Sequence, residues 1–259
     1  MSTPLPGMVR LLAVMRALRD PARGCPWDLA QDARTLARYV LEEACELVAA
    51  IEGGADGQVR DELGDLLFQV VFHAQLASER GAWDFDTVAA GMADKLERRH
   101  PHVFAPDGRD ASHWEQIKAA ERAARGAGGV LDDIPVTLPA LTRAVKLGKR
   151  AAGVGFDWPD AAGARAKLLE ELAEVDAAAR GEGQTPLEDE VGDLLLAATS
   201  LARHLGVDPE TALRRANSRF EERFRAMERL AARRGTRLQT LDAARLDALW
   251  EDVKRGVQS

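Results

Sequence analysis

The chain of 259 residues has only two cysteines, one tyrosine and three isoleucines, and aromatic residues make up 5% of it. Cys25 and Cys45 form neither a disulfide framework nor a CxxC site. They read as reduced thiols in or near the core of a cytoplasmic protein. Strands draw on β-branched and aromatic side chains, so the scarcity of isoleucine and tyrosine argues against an extensive sheet. A membrane span needs ~20 apolar residues. One of the longest uncharged runs, 66–78, holds 13 residues and falls short. Residues 1–7 carry neither the basic start nor the apolar stretch of a signal peptide. Positive charge is not in excess either: the net charge is -7 and the pI about 5.4. A nucleic-acid polymer is therefore not the expected partner, although local basic residues can still hold small anions. No HD dipeptide and no REx2EE helix of the Nudix type is present. No Ser, Cys or His nucleophile arrangement is repeated, so a covalent intermediate is not favoured.

Alanine, leucine, glutamate and arginine are abundant, and such helix formers predict an all-α protein. Length alone allows one or two domains. The chain then shows an internal repeat. Leu41-Glu42-Glu43-Ala44-Cys45-Glu46 returns 128 residues later as Leu169-Glu170-Glu171-Leu172-Ala173-Glu174. Asp61-Glu62-Leu63-Gly64-Asp65-Leu66-Leu67 returns at the same offset, with six of seven residues kept. Gly53 and Gly181 mark the turn between the two motifs in each copy. Lys95 and Arg99 lie opposite Arg219 and Arg223, and Trp114 and Lys118 lie opposite Trp250 and Lys254, with small shifts. Two tandem helical-bundle domains are expected, over 1–125 and 141–259, joined by a Gly- and Pro-rich linker over 126–140. The loops 23–28 and 153–159 open the two copies. Their tryptophans and prolines read as turn anchors.

Apolar residues at 63, 66, 67, 70, 71 and 74 follow the period of a helix with one buried face. Val191, Leu194, Leu195, Ala198 and Ala202 do the same. Leu41, Cys45, Val48 and Ile51 predict a buried side on the preceding helix, which Gly53 and Gly54 stop. Two helices joined by so short a loop pack as an antiparallel pair. At ~100° per residue, Glu42, Glu43 and Glu46 share an arc of one helix, and Glu62 and Asp65 sit one turn apart on the next. Packing the pair can gather Glu43, Glu46, Glu62 and Asp65. Carboxylates held so close need a cation or protons between them. One ExxE alone is an ordinary solvated face; EExxE followed by ExxD, twice at one spacing, points to a metal. All donors are hard oxygens with no repeated His or Cys, which suits Mg²⁺, with Mn²⁺ as a substitute. A di-iron site would need paired ExxH motifs; Glu97 to His100 supplies one, and its counterpart ends in Phe224.

The tandem EExxE and ExxD motifs, with HPHVF (100–104), LDDIP (131–135), LPALTRA (138–144) and VGFDW (154–158), resemble the MazG family of the all-α NTP pyrophosphohydrolase superfamily. The resemblance spans nearly the whole chain. It implies Mg²⁺-dependent cleavage of NTPs and dNTPs between the α and β phosphates, giving NMP and pyrophosphate. Non-canonical nucleotides are candidate substrates. It implies a homodimer of helical bundles with sites at bundle interfaces. By motif position, Glu171, Glu174, Glu190 and Asp193 are the implied metal ligands of the second copy. Glu43, Glu46, Glu62 and Asp65 are those of the first. The implied nucleotide-binding positions are Lys167, Arg219, Arg223, Trp250 and Lys254, with Lys95, Arg99, Trp114 and Lys118 opposite the last four. Glu170 and Glu42, beside the ligand faces, are candidate proton acceptors for the attacking water. The chain departs from the pattern at Tyr39, opposite Lys167, and at Gly148, where relatives commonly carry Gln. The competing reading is a metal-stabilised helical dimerisation module with one or both sites catalytically silent.

Overall fold

The computed structural model describes residues 5–104 and 128–256. All secondary structure among them is helical, as the composition predicts. The chain divides into two units, Met1–Ala120 and Glu121–Ser259. The first contains α1 (Pro6–Leu18), α2 (Pro26–Leu29), α3 (Ala33–Gly53), α4 (Asp56–Glu79), α5 (Phe85–Arg99) and α6 (Pro101–Phe104). The second contains α7 (Ala140–Ala152), α8 (Ala161–Ala179), α9 (Leu187–His204), α10 (Pro209–Arg233), a 3-10 turn (Leu238–Thr240) and α11 (Ala243–Lys254). No helix is long and apolar enough to cross a membrane among the described residues.

The repeated motifs fall on α3–α4 and α8–α9, and each pair packs together. Local chemistry sets the start of each pair. Asp32 caps α3 by accepting from Arg34 N and Thr35 N, both at 2.8 Å, while Thr35 Oγ1 accepts from Asp32 N at 2.9 Å. That reciprocal box satisfies amides which the helix cannot. Asp160 caps α8 through Ala162 N at 2.8 Å. Gly54 ends α3 at φ +74°, a left-handed conformation that costs glycine little. The chain reverses there at once, and α4 begins two residues later.

The first core is Met15 of α1, Leu36 of α3, and Val71, Phe72 and Leu76 of α4. The second gathers Met227, Leu230 and Ala231 of α10 around Leu249 of α11. Arg19 ties the first unit together: it donates to the carbonyls of Asp28 and Gln31, grips Glu79 with two nitrogens, and lies over the Phe72 ring. In the second unit Asp157 accepts from Arg203 Nη1 at 2.8 Å, and His204 Nε2 lies 3.0 Å from the same carboxylate. Trp158 meets His204 edge-on and lies against Gly163, where a Cβ would fall 2.4 Å from its ring. The loop of 153–159 is thus pinned to α8 and α9.

One expectation is corrected. The stripe of Leu41, Cys45, Val48 and Ile51 is exposed, with Leu41 at 56% and Ile51 at 57%, so Cys45 is not a core thiol. Cys25 is half-buried. The buried residues of α3 are Leu36 and Ala50. They lie about 40° apart around the helix, whereas Leu41, Cys45 and Val48 lie roughly 120–180° from Leu36. The helix therefore has two apolar sides, and its own unit covers one of them. Leu63 and Val70 of α4, and Val191 and Leu195 of α9, are exposed in the same way. Trp27 is half exposed, and its ring touches Tyr39 of α3 edge-on.

Candidate metal centre

The helix pairs do gather carboxylates. Oxygens of Glu43, Glu62 and Asp65 lie within 4.8 Å of one another, and so do oxygens of Glu171, Glu174 and Glu190. Each group is a hard-oxygen donor set drawn from both helices of its pair. The two sets are not identical. Glu43 and Glu62 correspond to Glu171 and Glu190, but Asp65 completes the first group and Glu174 the second. Glu46 and Asp193 stand outside the groups. Glu46 still acts on Glu43 by charge, and Asp193 is exposed one turn beyond Glu190.

Burial makes these acids costly. Glu171 is 5% exposed and Glu190 9%. Burial first, then the charges of Asp65, Glu46, Glu42 and Glu62, push the Glu43 carboxyl above its ordinary range. Burial first, then a hydrogen bond and repulsion from Glu171, push Glu174 up in the same way. Shifts of this sign mark places where negative charge lacks compensation. A divalent cation bound to oxygen supplies it, and the donor sets fit one.

The second group has a partial answer of its own. Lys167 donates to Glu170 Oε1 and to Glu171 Oε1, both at 2.7 Å. The Glu170 bond first, then the Glu171 bond, hold its ammonium well above the ordinary lysine range. Glu170, a candidate proton acceptor, therefore already accepts a proton-rich partner. Its counterpart Glu42 is exposed. In the first copy no basic residue forms an ion pair with Glu43, Glu62 or Asp65 among the described residues. Tyr39 stands in the lysine's place. Its hydroxyl accepts from Arg38 Nη2 at 2.6 Å, and the Arg38 guanidinium lies 4.6 Å from its ring centre.

Arg219 and Arg223 lie on the exposed side of α10 and form no ion pair among the described residues. Lys254 of α11 pairs with Glu251 at 2.9 Å. Trp250 packs against Phe220, with ring centres 5.4 Å apart, and Phe220 stacks on Phe224 at 6.0 Å. Sequence reasoning passed over these two phenylalanines, although their i, i+4 spacing beside Arg219 and Arg223 was the available signal. Lys95 and Arg99 lie on α5. Trp114 and Lys118 lie outside the described residues.

A family model for the MazG nucleotide pyrophosphohydrolase domain matches the chain twice, over residues 31–104 and 162–227. The chain is 50% identical over 253 residues to the nucleoside triphosphate pyrophosphohydrolase of Escherichia coli (strain K12), covering 95% of this chain and 96% of that one. The chain belongs to the MazG nucleotide pyrophosphohydrolase family. The nucleoside triphosphate pyrophosphohydrolase/pyrophosphatase MazG of Thermotoga maritima is 43% identical over 247 residues, 95% of each chain. The nucleoside triphosphate pyrophosphohydrolase of Mycobacterium tuberculosis is 34% identical over 253 residues, 94% of this chain and 66% of its own. Both carboxylate groups fall inside the MazG matches, as do Lys167, Arg219 and Arg223. Trp250 and Lys254 fall beyond them.

Proposed function

We propose that the protein is a nucleoside triphosphate pyrophosphohydrolase, converting an NTP or dNTP and water to the monophosphate and pyrophosphate. The observation that carries the reading is a chain half identical to the Escherichia coli relative over 253 residues, with a three-carboxylate group on the same helix pair of each copy. The reaction breaks the anhydride between the α and β phosphates, and the attacking water adds to the α phosphorus. Glu171, Glu174 and Glu190 would hold Mg²⁺ in the second copy and Glu43, Glu62 and Asp65 in the first, with Mn²⁺ as a substitute. Asp193 and Glu46, next along the same helices, complete the sets. The bound ion supplies charge neutralisation at phosphate oxygens and a more acidic water.

The chain's own cations do the rest. Lys167, Arg219, Arg223 and Lys254 bind the phosphate oxygens and stabilise charge on the leaving pyrophosphate. Lys95, Arg99 and Lys118 stand in for Arg219, Arg223 and Lys254 in the first copy. Trp250, and Trp114 opposite it, lie against the base. Glu170 and Glu42 accept the proton of the attacking water. The exposure of Arg219 and Arg223, with no ion pair at either among the described residues, supports a polyanionic ligand there. The apolar side chains left exposed on α3, α4, α8 and α9 support a homodimer, and the reduced thiols a cytoplasmic location. Two domains, 1–125 and 141–259 around a linker, fit the doubled motif.

The bond position is the test. Incubation with Mg²⁺ and a dNTP panel should release monophosphate and pyrophosphate on ion chromatography. NDP with inorganic phosphate, or no turnover, overturns the reading. One observation favours a second reading in which the first copy is silent: Tyr39 puts no ammonium beside Glu43.

A further inference from the structure

The two carboxylate groups differ most in what neutralises them. Lys167 Nζ lies 2.7 Å from Glu171 Oε1, and Glu171 is a nearly buried member of the second group. The equivalent position in the first copy is Tyr39, an uncharged phenol whose hydroxyl is engaged by Arg38. A divalent cation held by Glu171 would draw on the carboxylate that the lysine already bonds. Two cations around one acid repel each other, and more strongly away from bulk water. A polyphosphate changes that balance, because its oxygens offer the ammonium a charge-assisted partner of its own.

We infer that Lys167 is a built-in counter-ion which ties metal loading of the second copy to the arrival of nucleotide, while the first copy takes its metal independently. This rests on the reading that both groups hold a divalent cation. Linkage makes the dependence mutual: whatever nucleotide adds to metal affinity, metal adds to nucleotide affinity. Lys167 is thereby a positioning residue as well as a phosphate contact. Its move from Glu171 to phosphate frees a ligand at the moment substrate is present.

The test uses the full-length protein and Mn²⁺ alone, with free Mn²⁺ followed by its electron paramagnetic resonance signal. A Glu43→Gln, Asp65→Asn background reports the second group; a Glu171→Gln, Glu190→Gln background reports the first. The first group should bind Mn²⁺ more tightly than the second. Lys167→Met should raise the affinity of the second group about tenfold, a typical coupling between two ligands. Lys167→Arg should stay near the parent, because it keeps the competing charge. Lys149→Met removes a lysine elsewhere in the same unit and should change little. With α,β-methylene-dATP present the order should reverse, the parent then holding Mn²⁺ more tightly than Lys167→Met. Thermal melts verify folding, and Lys167→Gln replaces the Met variant if that one melts early. A Met variant within about twofold of its parent, well inside any useful coupling, overturns the inference. So does an equal gain from Lys149→Met. Absence of Mn²⁺ binding in both backgrounds removes the metal reading itself, and the inference with it.

Discussion

Asp157 shows how much one exposed-looking loop residue can hold. Hydrogen bonds from Arg203 first, then the His204 contact, outweigh the opposing effect of burial and leave its carboxyl well below the ordinary value of 3.8. A depressed acid stabilises the fold above its unfolded pKa, and that contribution fades as pH falls toward the folded value. Asp157→Asn should therefore lower the melting temperature by several degrees at pH 7, and the gap should narrow steadily below about pH 4. A gap that stays constant to pH 3 would count against the charge pair. The same knot constrains Gly148. A Cβ at Gly148 would lie 3.1 Å from Arg203 Nε, so any side chain there obliges the arginine that grips Asp157 to shift slightly. At Gly163 the clash is with the Trp158 ring, and Gly163→Ala should cost about 1–3 kcal/mol in urea unfolding, as overpacking commonly does. None of this was legible in the motif. Asp157 and Arg203 are 46 residues apart, and helical periodicity says nothing about which distant side chains meet.

The helix pairs were the most legible elements. EExxE and ExxD share a face because of helical pitch alone, so both carboxylate groups followed from spacing and a short loop. Membership of each group did not follow. Glu174 rather than Asp193 joins Glu171 and Glu190, which depends on side-chain direction and on where the two helices touch. The apolar stripe shows the same boundary. Periodicity identified Leu41, Val48 and Ile51 as apolar-face residues, but it carries no information about what lies over them. Proposed as the self-association face of the helix pairs, the stripe makes a prediction at this scale. Leu41→Ser with Ile51→Ser, and separately Leu195→Ser, should shift sedimentation from dimer toward monomer while helicity is retained. Unchanged sedimentation in both would remove this face from the dimer.

For the molecule as a whole, the duplication raises the question of labour. The copies share a helix pair and a carboxylate group, yet among the described residues an ammonium lies on that group in the second copy and not in the first. Glu171→Gln should reduce dNTP turnover by roughly a hundredfold, a usual cost of losing a metal ligand or its support. Glu43→Gln should keep most of it, provided the first copy is silent. Equal losses from both would show two working sites. The net charge of -7 also changes meaning. Part of it is concentrated in two groups whose cations would offset it, which lets an acidic protein hold a more acidic substrate. Cys45 adds a last consequence. It is an exposed thiol in the middle of the uncovered stripe of α3, while the other cysteine is half-buried. Its rate of reaction with a small thiol reagent is therefore a clock for how often that face is open to water. Slowing with protein concentration would report assembly in solution without a label, a tag or a substitution.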